Sequence, residues 1–202
     1  MDKIIAKLVK KDPNLKKIFA NNPVLPKTRA TGDIYFDLVR TIAYQQLHGA
    51  AAAKIFSRFI DLFESGYPSP QIVAVMEVED LKAVGYSRQK ANYIRNIATF
   101  ALDNDFEQRD WDNMSDEEII KMLTEIKGVG IWTVQMLLIF SLNRPDVFPT
   151  GDYGIQMAIK RLYQLDEEKS ALLHKMKELA EAWIPHRSMV SRYLWLWGDD
   201  KK

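Results

Sequence analysis

Two glycines around a single apolar residue, Gly128-Val129-Gly130, separate one run of helical spacing from another. Ahead of them Ser115-Asp116-Glu117-Glu118 has the S-x-x-E form of a capping box and opens onto Ile119, Ile120, Leu123 and Ile126, so a helix starts there. After them Ile131 to Leu142 is apolar around most of a helical circumference, which places that helix inside a core. A chain written this way turns tightly between two packed helices. The glycines permit the turn and expose successive N–H groups where the second helix begins, an arrangement that suits an anion. A lone G-x-G is also a common plain connection between helices, so the surrounding sequence has to decide.

The surroundings read as helix throughout. Nine glycines and eight prolines among 202 residues gather at a few places, and strong helix formers fill the intervals. Apolar residues at 34, 35, 38, 39, 42 and 43 predict a helix over Ile34 to Gln46, with Thr31 or Asp33 as its cap. A second runs from Gly49 to Phe63 with Ile55, Phe59, Ile60, Leu62 and Phe63 for its packed face. Short pieces follow near 72–76 and 78–84, then helices over 87–102, 115–126, 131–142, 153–165, 167–183 and 187–197, with Asn143 to Gly151 a loop. The fold class is all-α. We expect two helical subdomains: 33–143, carrying the helix–turn–helix at 115–142, and 1–32 plus 144–202, built from both chain ends. Leu81 to Ala91 weakly echoes the glycine turn at 128–130.

Composition removes several classes of function. Zero cysteines exclude a thiolate zinc site, a thiol nucleophile and a cysteine-ligated iron–sulfur cluster, and three histidines make a poor metal cage. At 47% hydrophobic and 27% charged residues the chain has the balance of a globular protein, not of a disordered one or a rod. The apolar stretch 131–142 is too short to cross a bilayer, and no apolar leader follows Met1; we expect an intracellular, soluble monomer with no membrane partner, cytoplasmic or nucleoid-associated, or nuclear in a eukaryote. With a net charge of +1, any nucleic-acid surface must be local. Lys82, Arg88, Lys90 and Arg95 fall in a stretch without acids, Leu81 to Leu102, whereas Asp103 to Glu118 is strongly acidic and reads as a solvated face.

Taken with the loop Asn143-Arg-Pro-Asp-Val-Phe-Pro-Thr-Gly-Asp152 and Tyr153-Gly-Ile-Gln beyond it, the hairpin resembles that of the helix-hairpin-helix DNA glycosylase family. The likeness extends in collinear order to Tyr44-Gln-Gln-Leu-His48, Tyr86-Ser-Arg-Gln-Lys-Ala91 and Trp183-Ile-Pro-His-Arg-Ser188. These matches narrow it to the alkylation-damage branch, 3-methyladenine DNA glycosylase II, in a compact form without an N-terminal β domain. The resemblance implies a helix-hairpin-helix at 115–142, a DNA-binding cleft between the two helical subdomains and duplex DNA containing damaged bases as partner, with Lys127, Gly128, Val129 and Gly130 on a phosphate.

It also makes Asp152 the catalytic residue. Breaking an N-glycosidic bond builds positive charge on the sugar, which a fixed carboxylate stabilises while orienting or deprotonating the attacking water. On its own, an aspartate ahead of a helix is a common cap, and the two roles can coexist. Because no second carboxylate stands out, a base that is already cationic is the substrate that fits. Where lyase relatives carry a Schiff-base lysine after G-V-G-x, this chain has Trp132, so the resemblance implies a monofunctional enzyme leaving an uncut abasic site. Trp132, Tyr153 and Trp195 become walls of a pocket for a flipped base, and Met136 stands where some relatives have a pocket tyrosine. Trp183 and Trp197 read as core. Gln46 or Leu47 becomes the wedge that fills the vacated stack. No cofactor is required, although relatives often hold a monovalent cation on carbonyls matching Thr124, Ile126 and Val129.

The reading from sequence is therefore a monofunctional DNA glycosylase excising alkylated purines of the 3-methyladenine and 7-methylguanine type in base excision repair. A non-catalytic helix-hairpin-helix DNA-binding protein, or a monofunctional glycosylase for oxidised or mismatched bases, stands as the alternative.

Overall fold

The computed structural model of the protein describes residues 2–21, 24–26, 31–45 and 49–199. Among them the regular structure is helical throughout, in two compact units: residues 29–142 form one, and residues 1–28 with 143–202 the other.

The first unit holds α3 (Ile34–Tyr44), α4 (Gly49–Ile60), α5 (Pro70–Val75), α6 (Val78–Ala83), α7 (Arg88–Asp103), α8 (Asp116–Leu123) and α9 (Ile131–Phe140), after α1 (Asp2–Lys11) and α2 (Lys16–Asn21) of the other unit. Asp33 caps α3, its Oδ1 accepting from the Phe36 N–H at 2.9 Å, and every apolar position that set the spacing, Ile34 through Ala43, is buried. The capping box at Ser115 forms in both directions: the Ser115 hydroxyl accepts from Glu118 N–H at 3.2 Å, and the Glu118 carboxylate accepts from Ser115 N–H at 2.8 Å. Val134, Leu137, Leu138 and Ile139 of α9 are all but inaccessible, each contributing about 2 kcal/mol of apolar burial.

Helix α4 stops at Ile60, short of the expected Phe63. Leu62 falls in the turns that follow, where Gly66 takes φ +67°, and is exposed instead of lying on the packed face. The acidic stretch after Asp103 is also more than a solvated face: Phe106 and Trp111 are buried edge to face at 4.8 Å, and Trp111 Nε1 donates to the Phe106 carbonyl at 3.2 Å.

The second unit closes the chain ends on each other through α1, α2, α10 (Tyr153–Tyr163), α11 (Lys169–Ala180) and α12 (Arg187–Asp199). Its core runs from Leu8, Leu15 and Ile18 to Ile159, Met176, Trp183, Tyr193 and Leu194. Inside it sits Asp12, 7% exposed, whose Oδ2 accepts from Trp183 Nε1 at 3.0 Å and from the Tyr163 hydroxyl, while Oδ1 accepts from Asn14 N–H at 3.2 Å. A buried carboxylate persists only with such donors around it. Helices α10 and α12 are joined by Arg161, which stacks 3.6 Å over the Trp197 ring and donates to its carbonyl at 2.7 Å.

Candidate active site

Asp152 stands at the N-cap of α10, half-buried, with the extended backbone a cap requires. Its Oδ1 accepts from the Ile155 N–H at 2.8 Å and from Trp195 Nε1 of α12 at 2.9 Å. Two donors from two helices fix that oxygen, and the start of α10 adds the favourable end of a helix dipole. Space for this meeting comes from Gly154, where a Cβ would stand 3.1 Å from Asp152 Oδ1 and 3.4 Å from Trp195 Cδ1. Tyr153, beside the carboxylate in sequence, is 74% exposed, far more than an aromatic ring serving the core.

The loop that delivers Asp152 is tied along its length to the start of α12. Asp146 and Arg187 form a bidentate pair, Nε to Oδ1 at 2.8 Å and an η nitrogen to Oδ2 at 2.7 Å. Partial burial pushes the Asp146 carboxyl up, but the Arg187 hydrogen bonds and charge outweigh it and hold the group below the usual range. Ser188, 5% exposed, accepts from Val147 N–H at 2.8 Å through its hydroxyl and donates its own N–H to the Pro145 carbonyl at 3.1 Å. Further on, Gln156 holds the Thr150 carbonyl at 2.8 Å and Asp152 N–H the Pro149 carbonyl at 3.0 Å. Arg187 and Ser188, at the end of the stretch from Trp183 to Ser188, thus have a physical task, anchoring the loop that carries Asp152. Trp183 itself is fully buried and Trp197 nearly so.

In the other unit the hairpin turns at Gly128 with φ +108°, a conformation that suits only glycine. A Cβ at Gly128 would also stand 2.2 Å from the Tyr93 ring of α7. The Lys127 carbonyl accepts from Asn96 Nδ2 at 3.1 Å, so α7 holds the turn from one side. Val129 is buried while Lys127 and Gly130 face solvent, and α9 starts at Ile131 with Gly130 as its cap. Trp132 is 39% exposed in the first turn of α9, whereas Met136, one turn on, is buried. Of the carbonyls named for a cation, that of Ile126 accepts from Val129 N–H at 3.0 Å. Among the described residues no three His, Cys, Asp or Glu side chains are grouped as a metal site.

Gln46 and Leu47, the expected wedge, lie outside the described residues. The residue before them is clamped twice: Gln45 Nε2 donates to Thr133 Oγ1 of α9 at 2.9 Å, and the Lys90 ammonium donates to the Gln45 carbonyl and, at 3.0 Å, to that of Ala43. Burial pulls Lys90 below the usual lysine range. Sequence reasoning placed Gln45 in the Tyr44–His48 match and Lys90 in the basic stretch, but it foresaw neither their contact nor Thr133, because nothing in their spacing announces contacts 45 or 88 residues apart. It missed the role of Gly154 too, for which the short interval to Asp152 was the available signal.

Residues 39–185 match the family model described as HhH-GPD superfamily base excision DNA repair protein. The DNA-3-methyladenine glycosylase 1 of Schizosaccharomyces pombe is 37% identical over 163 residues, covering 80% of this chain and 71% of that protein. A DNA-3-methyladenine glycosylase of Saccharomyces cerevisiae is 30% identical over 208 residues, covering 96% of this chain and 69% of its own length. In three dimensions the chain is similar to a 3-methyladenine DNA glycosylase of S. pombe solved in complex with abasic DNA, with a TM-score of 0.82, 34% identity and coverage of 96% of this chain and 95% of that one.

Proposed function

The chain belongs to the HhH-GPD superfamily of base excision DNA repair proteins, and from its likeness to 3-methyladenine DNA glycosylases and from Trp132 we infer that it is a monofunctional DNA glycosylase that releases alkylated purines from duplex DNA. The observation that carries the reading is the carboxylate of Asp152, held by Ile155 N–H and Trp195 Nε1.

In the reaction the C1′–N bond of the damaged nucleotide breaks, its electron pair leaves with the base, and positive charge develops on the sugar. Asp152 stabilises that charge and orients the water that adds to C1′, the water's proton passing to solvent or to the carboxylate. A base made cationic by alkylation needs no general acid to depart, so one carboxylate suffices. Trp132, where a lyase would carry its lysine, offers no amine to the opened sugar, and the product is an abasic site in an unbroken strand. With no cysteine in the sequence, a cysteine-ligated iron–sulfur cluster has no part in it.

The finer assignments follow the same reading. Tyr153 and Trp195 in the unit of Asp152, and Trp132 with Met136 in the hairpin unit, serve the extruded base; a cationic base gains cation–π attraction from such rings. Exposed Lys127 and the amides of Gly128 and Gly130 take a phosphate, the Val129 N–H being given instead to the Ile126 carbonyl at 3.0 Å, and a monovalent cation held by the carbonyls of Thr124, Ile126 and Val129 would add positive charge beside it. Gln46 or Leu47 fills the vacated stack.

The test is base release from methylated duplex DNA by the wild type and Asp152→Asn, with strands analysed before and after alkali. Release by the wild type alone, with breaks only after alkali, is the expected outcome; release by Asp152→Asn would remove that residue from its role, and breaks without alkali would overturn the monofunctional assignment.

A further inference from the structure

Beside the hairpin runs an open groove of about 610 Å³, lined by Arg88, Gln89, Asn92, Tyr93 and Asn96 of α7 together with Lys127. The α7 residues fall at i, i+1, i+4, i+5 and i+8 and so share one face of that helix, while Ala91, Ile94, Ile97, Ala98 and Ala101 bury the opposite face. Every lining side chain can donate a hydrogen bond, two are cationic and none is acidic. That is the chemistry of a phosphodiester backbone and not of an apolar peptide. The groove is also rigidly joined to the hairpin, since the Tyr93 ring abuts Gly128 and Asn96 holds the Lys127 carbonyl at 3.1 Å.

We propose that this face of α7, with Arg88, Gln89 and Asn92 as its outer donors and Lys127 as the joint to the hairpin, is a second backbone-binding surface that grips the DNA strand alongside the hairpin phosphate. The proposal rests on the DNA-repair reading for its choice of ligand. Neither the hairpin amides nor the residues at Asp152 contribute to it, and it extends the DNA contact by the phosphates that lie along α7.

Glu79 sharpens the argument. Its carboxylate pairs with Lys82 at 2.6 Å and with Arg88 at 2.8 Å, all three side chains being largely exposed or half-exposed. An exposed pair of this kind holds its partners weakly, so a phosphate can replace Glu79 on Arg88. The displaced carboxylate then repels the incoming strand. Glu79 is therefore a brake on DNA affinity at this groove, and removing its charge should tighten binding, an effect that damage to the fold would not produce.

The experiment is fluorescence anisotropy of the full chain with an undamaged 20-base-pair duplex across a salt series. Arg88→Ala should weaken binding several-fold at moderate salt and reduce the slope of log K against log salt by about 1, the signature of one lost phosphate contact. Glu79→Gln should bind two- to fivefold more tightly, and Lys175→Ala on α11, in the other unit and no part of the groove's lining, should match the wild type in slope. An unchanged slope in Arg88→Ala, or no tightening in Glu79→Gln, overturns the proposal. Because undamaged DNA makes no demand on Asp152, failure of base release and failure of this surface would be seen separately.

Discussion

Trp195 Nε1 and Ile155 N–H donate to the same oxygen of Asp152, at 2.9 and 2.8 Å, so that a tryptophan 43 residues away and the first turn of α10 jointly aim one carboxylate. A cap alone would need only the second of these bonds. The first ties the carboxylate to α12, and α12 also holds the loop leading to it through Arg187 and Ser188.

Trp195→Phe keeps a ring for stacking and deletes the donor. Loss of a hydrogen bond to a charged acceptor is worth about 1.5–3 kcal/mol, so the single-turnover rate of base release should fall on the order of 10- to 100-fold while affinity for the duplex stays near that of the wild type. A rate within twofold of the wild type would mean that Ile155 N–H alone suffices to place the carboxylate.

Gly128→Ala should cost about 2–4 kcal/mol in urea unfolding, combining a φ of +108° with a Cβ driven into the Tyr93 ring. Adding Tyr93→Ala removes the overlap but not the backbone strain, so the double variant should recover only part of the loss relative to Tyr93→Ala alone. Full recovery would show that the backbone tolerates the new side chain there.

Asp12→Ala leaves the buried Trp183 Nε1 without the acceptor it has at 3.0 Å and strips the Tyr163 hydroxyl of its partner, at a cost of about 2–5 kcal/mol. Burial first, and then the Asp12 hydrogen bond and charge, raise the Tyr163 hydroxyl above its ordinary value of 10.0. The folded state therefore favours the neutral phenol. That stabilisation is complete below pH 10 and declines as pH rises further, because the unfolded chain then releases a proton that the folded chain keeps. Tyr163→Phe should flatten the alkaline limb of a stability–pH profile, by about 0.7 kcal/mol per pH unit averaged between pH 9 and 11 and approaching about 1.4 kcal/mol per unit above that, as read by urea unfolding. Tyr35, Tyr67 and Tyr86, also raised chiefly by burial, leave a residual slope.

What the sequence made legible is what local physics decides. The capping box at Ser115, the buried stripe of α3 and the glycine turn at 128–130 each depend on residues within a few positions of one another. So does Asp152 as a cap, and its chemical assignment came from resemblance. The N-terminal helix was legible in principle, since Ile4, Ile5, Leu8 and Val9 share one face, but without a recognised partner its ten residues carried too little signal. Leu62 was misplaced because helical spacing continued past the point where α4 ends. Bonds that cross long stretches of chain left no trace: Trp195 on Asp152, Lys90 on Gln45, and Asp12 beneath Trp183. Such contacts are set by packing, and a polar residue in sequence looks the same whether it will meet water or a buried donor.

The pairing of Asp12 with Trp183 spans 171 residues. At a synthesis rate of about 5–20 residues per second, the amino-terminal helix waits roughly 10–30 s on the ribosome before the tryptophan that completes its core exists. The unit holding Asp152 therefore closes only after α12 has emerged, long after every residue of the hairpin unit has been made. Translation arrested in that interval would yield a chain that holds every residue of the hairpin unit and lacks the helix whose Trp195 donates to Asp152.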